Sequence, residues 1–181
     1  MSISATAGAI IKVLKEEIPP LLKPEQIGLC SPDAATDKYQ LGVFIYSATR
    51  DMRSQMTGNI RVDSSSSVKS PLNMELRLIV TSYAGRKSGL SDDYKVLERV
   101  LQLWYDHSEL PLTTPVQPSH VAAPKFELLN PDADEISKIW QFPNVPYSLS
   151  LFYRLGPIAI QSGVKITTTP VGDVDYKAGD A

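Results

Sequence analysis

The sequence predicts an α+β fold: one mixed or mainly antiparallel sheet with helices packed on it. Three observations carry this. Residues 39–49, 71–84 and 147–160 read as long strands, each rich in apolar or alternating residues. Residues 3–18 and a second stretch beginning near 91 instead repeat their apolar residues at three- and four-residue steps, the period of a helix face. Strands also outnumber the strand–helix–strand units that a parallel sheet requires.

The elements follow in the order α-β-β-(loop)-β-α-β-α-β. In the first helix Ile3, Ala7, Ile10, Ile11, Leu14 and Ile18 share a face, and Pro19-Pro20 ends it. "QIGLCSP", 26–32, is a short strand. Residues 39–49 are apolar on both faces, as suits a strand covered on both sides. Residues 50–70 are polar and include four consecutive serines, which predicts a long loop or an arm. In 71–84, Leu72, Met74, Leu76, Leu78 and Val80 face one way, while Asn73, Glu75 and Arg77 face the other.

Ser91 or Asp92 is the expected cap of the next helix, whose face carries Val96, Leu97, Val100, Leu101 and Trp104. Pro111, Pro115 and Pro118 stiffen the connection that follows. Residues 125–130 are a strand, and Asn130 or Asp132 caps a short helix bearing Ile136, Ile139 and Trp140. After Pro146 the period changes to two, with Tyr147, Leu149, Leu151 and Tyr153 on the expected buried face and a bend at Gly156-Pro157. Residues 1–163 are expected to form one domain, with 164–181 an edge strand or a frayed tail.

The composition narrows the function by exclusion. A net charge of −2 supplies no basic excess to hold a phosphate backbone, so no nucleic-acid partner is expected. Cys30 is the only cysteine, which rules out an intramolecular disulfide and a thiolate metal cluster within the chain. No apolar run has the length of a bilayer span and the N-terminus lacks the pattern of a secretory signal. The expectation is synthesis and folding in the cytosol without direct membrane insertion.

No catalytic pattern stands out. A Gly-x-Ser-x-Gly elbow is missing. A thiol nucleophile at Cys30 would need His107 or His120, the only histidines, and neither sits in a recognisable signature. Asp92, Asp93 and the acids of "PDADE", 131–135, fit helix starts better than calcium ligands. "GRKSG", 85–89, lacks the spacing of a phosphate-binding loop. Trp104, Trp140, Phe152 and Tyr153 are expected in the core. The residues point to a non-enzymatic protein without cofactor or metal, acting through its surfaces.

Three stretches in this order resemble a family: "GLCSPDAATDKYQLGVFIYSATRDMRSQ", "PLNMELRLIVTSYAGRKSGLSDDYKVLERVLQLWYDHSEL" and "LNPDADEISKIWQFPNVPYSLSLFYRLGPIAIQS". Together they look like the cap, or tail-terminator, proteins of contractile injection systems, which are phage-tail-like particles. The matching residues are Ser31-Pro32, 44–46, 71–83, 97–110 and 136–160, with Val96-Leu97-Glu98 departing from a Leu-Gly pair often found in relatives. The resemblance implies a ring, usually a homohexamer, at the distal end of the particle. It would stop growth of the inner tube protein and anchor the last layer of sheath protein, without catalysis. A different reading is an adaptor that links the particle to cargo or membrane components.

Arg50, Arg53, Arg61 and Lys69, set against Asp51 and Asp63, make residues 50–70 locally basic in a slightly acidic chain. One reading is a solvated spacer. The other is an arm whose interface residues, Arg50, Asp51, Arg53, Arg61 and Lys69, order against an acidic patch of a neighbouring subunit, tube or sheath.

Overall fold

The computed structural model describes residues 2–34, 39–53, 58–61, 66–85, 89–111, 122–142 and 145–167. The elements are α1 (Ile3–Glu17), β1 (Ile27–Leu29), β2 (Leu41–Arg50), β3 (Asn59–Arg61), β4 (Ser66–Lys69), β5 (Leu72–Ser82), α2 (Leu90–Asp106), β6 (Lys125–Leu129), α3 (Ala133–Ile139), β7 (Ser150–Ile160) and β8 (Lys165–Thr167). The fold is mixed α and β, as expected. A five-stranded sheet runs β1-β2-β5-β7-β6, and a three-stranded sheet runs β3-β4-β8. Among the described residues only β1 pairs in parallel, with β2, and the other ladders are antiparallel.

The large sheet is built around β5. Its neighbours β2 and β7 pair along nearly its whole length, with Val43 opposite Val80 and Ile79 opposite Phe152. Alternation then sends Leu76, Leu78 and Val80 to one face, with Leu41 and Val43 of β2 and Tyr153 and Leu155 of β7. This face meets Ile10, Leu14 and Ile18 of α1 and Val96, Val100, Leu103 and Trp104 of α2. Trp104 stacks on Phe126 at 4.1 Å between ring centres and meets Tyr153 edge-on at 4.6 Å. On the opposite face Ile79, Phe152 and Trp140 are buried, with Ile136, Ile139 and Phe142 packed around them. The short α3 segment therefore covers one part of the second face and leaves the rest open.

The helix ends show local chemistry at work. Ser2 Oγ accepts a hydrogen bond from Ala5 N–H at 3.1 Å to start α1, and Ile18 N–H donates to Leu14 O at 3.0 Å before the prolines stop it. At α3, Asp132 accepts from Glu135 N–H at 2.8 Å while Asp132 N–H donates to Glu135, a reciprocal capping box.

The start of α2 differs from expectation. Its cap residue is Gly89, with φ of 114°, so Ser91 and Asp92 already lie in the first turn. Asp93 turns back and accepts from Gly85 N–H at 3.0 Å.

Three other expectations are corrected. The last long strand starts at Ser150, not at residue 147, and Tyr147 and Leu149 are each 50% exposed. Tyr147 instead lies edge-on to Trp140 at 5.2 Å, so the chain is still wrapping over α3 where sequence alternation suggested a strand. Within β7 both faces are covered. Ser150 is buried and its hydroxyl lies 2.8 Å from that of Thr81, and Phe152 is buried opposite Tyr153. Leu72, expected in the core row, is 44% exposed at the rim of β5.

The largest correction concerns residues 50–70. Residues 59–61 and 66–69 form a β-hairpin, not a long loop, and Val68 pairs with Ile60 on one side and with Lys165 on the other. The expected edge strand after residue 164 is present as β8, but it joins this small sheet, not the large one. Residues 168–181, expected to fray, and Asp63 and His120 lie outside the described residues.

Candidate interface at the base of the hairpin

The hairpin grows from the end of β2 and returns into the start of β5. Asp51, at this junction, is 9% exposed. Its N–H donates to Asn73 O at 2.9 Å, and its carboxylate accepts from Arg53 N–H at 2.9 Å. This short polar side chain thus sets the turn that leads the chain out of the large sheet. On the return, Ser70 N–H and the Ser70 hydroxyl both donate to Gly58 O, at 3.1 and 2.6 Å. Gly58 has a φ of 110°, a conformation that favours glycine.

The structure separates the five proposed interface residues. Arg50, the last residue of β2, and Lys69, the last of β4, line one cleft of about 540 Å³ between the hairpin base and the end of β7. Leu72, Ile160, Gln161 and Ser162 are also in its wall, and no acidic residue lines it among the described residues. Asp51 is taken up by the turn. Arg53 reaches toward Glu75 at 3.7 Å. Arg61 closes β3, opposite Ser67. Arg50 and Lys69 line a common cavity.

A second charged group lies on the open part of the sheet, and sequence reasoning did not assemble it. Arg77 and Arg154 sit directly opposite each other on β5 and β7, an arrangement that repels. Glu75 offsets this, with Arg77 Nε and Arg154 Nη1 each 3.6 Å from its carboxylate. Arg154 also pairs with Glu127 of β6. The Glu75 side chain is only 13% exposed, so its charge is poorly screened compared with a surface pair. Nearby, burial raises the Tyr46 pKa, against the opposing pull of Arg77. Alternation placed Glu75 and Arg77 on one face, but the cross-strand partner Arg154 depends on register, which no local pattern reveals.

No cluster of three or more His, Cys, Asp or Glu able to hold a metal occurs among the described residues. Cys30 follows β1 and is partly exposed, whereas His107 ends α2 at the surface. No described helix is long and apolar enough to cross a membrane.

The sequence profile of the Pvc16 N-terminal domain matches residues 5–172. The chain belongs to this family. No curated protein matches the sequence. Among solved structures, the fold matches the PVC sheath/tube terminator of an extracellular contractile injection system in its extended state. The TM-score is 0.74 at 16% identity, covering 100% of this chain and 64% of that one. It also matches the tube-terminating cap of the anti-feeding prophage, with a TM-score of 0.67 at 17% identity, covering 96% of this chain and 60% of that one. This Pvc16 N-terminal domain thus spans less than two-thirds of either relative. At such identities the likeness is one of fold, and both structural relatives are terminators.

Proposed function

We propose that this chain is a tube terminator of a contractile injection particle, a structural protein and not an enzyme. The observation that carries this reading is the coincidence of a family match across 5–172 with a fold likeness that extends over the whole chain. In finer terms, the protein forms a closed ring, a homohexamer, at the distal end of the inner tube and holds the last layer of sheath. Tube subunits that stack through a heterologous interface grow without limit unless some subunit offers a matching face below and a non-matching face above. Such a role requires surfaces alone. Residues 1–163 act as one unit in this proposal, with β8 stitched back to the hairpin.

The Arg50–Lys69 cleft is the contact we assign to this role. Neither side chain has an ion pair among the described residues, and the cavity between them is fit for a carboxylate-bearing segment of a neighbouring subunit, tube or sheath protein. Arg53 is better left out of the contact because it already faces Glu75.

The test is deletion followed by electron microscopy of particles. Tubes of irregular length, or particles that fail to assemble, are expected. Uniform, capped particles without the protein would reject the terminator role. In the intact system, reversing both Arg50 and Lys69 to Glu should impair assembly while leaving the circular dichroism of the isolated chain unchanged. Normal particles from that double variant would remove the cleft from the interface.

A further inference from the structure

The outer edge of the large sheet is only half used. β6 is the edge strand, and its inner side pairs with β7 from Lys125 to Leu129. On the outer side, Phe126 N–H donates to Ser108 O at 2.7 Å and Leu110 N–H donates to Pro124 O at 2.9 Å. In an antiparallel ladder, main-chain groups point outward at every second residue. Since Phe126 N–H points outward, so do the N–H and C=O of Leu128. These have no partner among the described residues. The segment 108–110 therefore occupies the first half of the edge and leaves the second half open.

A cleft lies beside that open half. It measures about 520 Å³ and runs between α2 and β6, with Leu101, Trp104 and Tyr105 on one wall, Phe126 and Leu128 on the other, and Tyr153 at the floor. Tyr105 is 88% exposed and Leu128 46% exposed, so apolar surface is left facing water. Glu98, on the rim, is exposed and has no ion pair among the described residues. Edge strands with free main-chain groups accept an added strand, and a pocket beside the edge selects its alternate side chains.

We propose that the cleft between α2 and β6 is a docking groove for an extended segment of another protein. That segment adds a short strand at Leu128, places a large apolar side chain against Trp104 and Phe126, and brings a basic residue to Glu98. The charge of the rim argues for the basic residue: among the described residues Glu98 is the only acid lining the groove, and it has no ion pair there. The strand would continue the line begun by 108–110. This surface is separate from the Arg50–Lys69 cleft, and its occupancy does not depend on the terminator reading.

The probe is a synthetic peptide, acetyl-Lys-Val-Phe-Val-Lys-amide, titrated into the full chain. Amide exchange at Leu128 should slow by about tenfold or more when the N–H gains a partner. In a Trp140→Phe background, which leaves Trp104 as the sole indole, the emission should shift as the cleft fills. A peptide N-methylated on its pairing edge should bind about tenfold more weakly. Leu128→Pro should weaken binding similarly, because that N–H is not used in the β6–β7 ladder. Glu98→Lys should weaken binding a few-fold with unchanged melting.

Three results would overturn the proposal. The N-methylated peptide could bind as well as its parent. Leu128 exchange and Trp104 emission could stay unchanged up to millimolar peptide. Leu128 could be protected without peptide, increasingly so with protein concentration, in which case a second copy of the chain is the occupant. If Leu128→Pro fails to fold, the N-methylated peptide alone decides the matter.

Discussion

In the large sheet, many of the residues that pair across strands also leave water: Leu76, Leu78, Val80 and Leu155 are each 0% exposed. In the small sheet, Val68 pairs with both Ile60 and Lys165, yet none of the described side chains of β3 and β4 is buried. The first sheet is held by the removal of apolar surface from water, the second by main-chain hydrogen bonds and by the Gly58–Ser70 tie at its base. An isolated hairpin is marginal in water, so the small sheet depends on its third strand and its anchorage to the large one. A protein that must be stable alone and adaptable at a contact can place the two requirements in different sheets.

The sharpest way to break the comparison is to put a charge in the large sheet. Leu155→Asp or Leu76→Asp should abolish folding, since an unpaired buried carboxylate costs several kcal/mol, comparable with much of a domain's stability. Circular dichroism and thermal melting read this directly. Leu149→Asp is the matched control: at 50% exposure, ahead of β7, it should melt within a few degrees of the unaltered chain.

An intermediate effect is expected from Glu75→Gln. It leaves Arg77 and Arg154 opposite each other without the carboxylate between them. A loss of about 1–2 kcal/mol by urea titration is expected, between the values for exposed and buried pairs. The loss should shrink in high salt, which screens the arginine repulsion. An unchanged midpoint would show that Arg53, Arg77 and Arg154 are solvated individually.

An effect confined to alkaline pH belongs to Tyr153. Burial pushes its pKa from the usual 10.0 up to about 12. Its folded-state value lies above the unfolded one. The associated stability is therefore fully present below about pH 10 and is lost as pH rises from there through about 12. Tyr153→Phe should flatten the part of the alkaline stability profile due to this group. An identical slope in the variant would mean that Tyr153 titrates like an exposed tyrosine.

How legible each part was follows from the same contrast. Period and caps revealed α1, β2, β5, α3 and β6, because burial imposes regular spacing on Ile10, Leu14 and Ile18 or on Leu76, Leu78 and Val80. The alternation from Tyr147 misled because Tyr147 packs on Trp140 before the strand begins. The hairpin was hidden since a run of serines carries no apolar period in the sequence; its pairing is a main-chain matter. At the candidate interface, composition exposed the basic bias of 50–70. It was register and turn geometry that joined Arg50 to Lys69 and sent Arg53 to Glu75.

The smallest effect on stability, and the finest test of the division between the sheets, is expected from Val68→Pro. Val68 is the middle of the three strands' pairing, flanked by Ile60 and Lys165. Proline there removes a main-chain donor from β4 and places a ring where a ladder residue stood. If main-chain bonds hold the small sheet, its pairing should dissolve, and amides in 59–61, 66–69 and 165–167 should exchange freely. None of the described side chains of this hairpin is buried, so melting should move by no more than a few degrees. Amides of β5 and β7 should keep their protection. The two outcomes together separate cooperative from independent folding. A variant that melts as one unit at a much lower temperature would show that the hairpin contributes to the core. A variant with all amides still protected would show that the arm is held by side-chain packing after all. On the proposed role of the Arg50–Lys69 cleft, the expected pattern in particles is a folded monomer with impaired assembly, because Lys69 leaves the cleft wall once β4 loses its register.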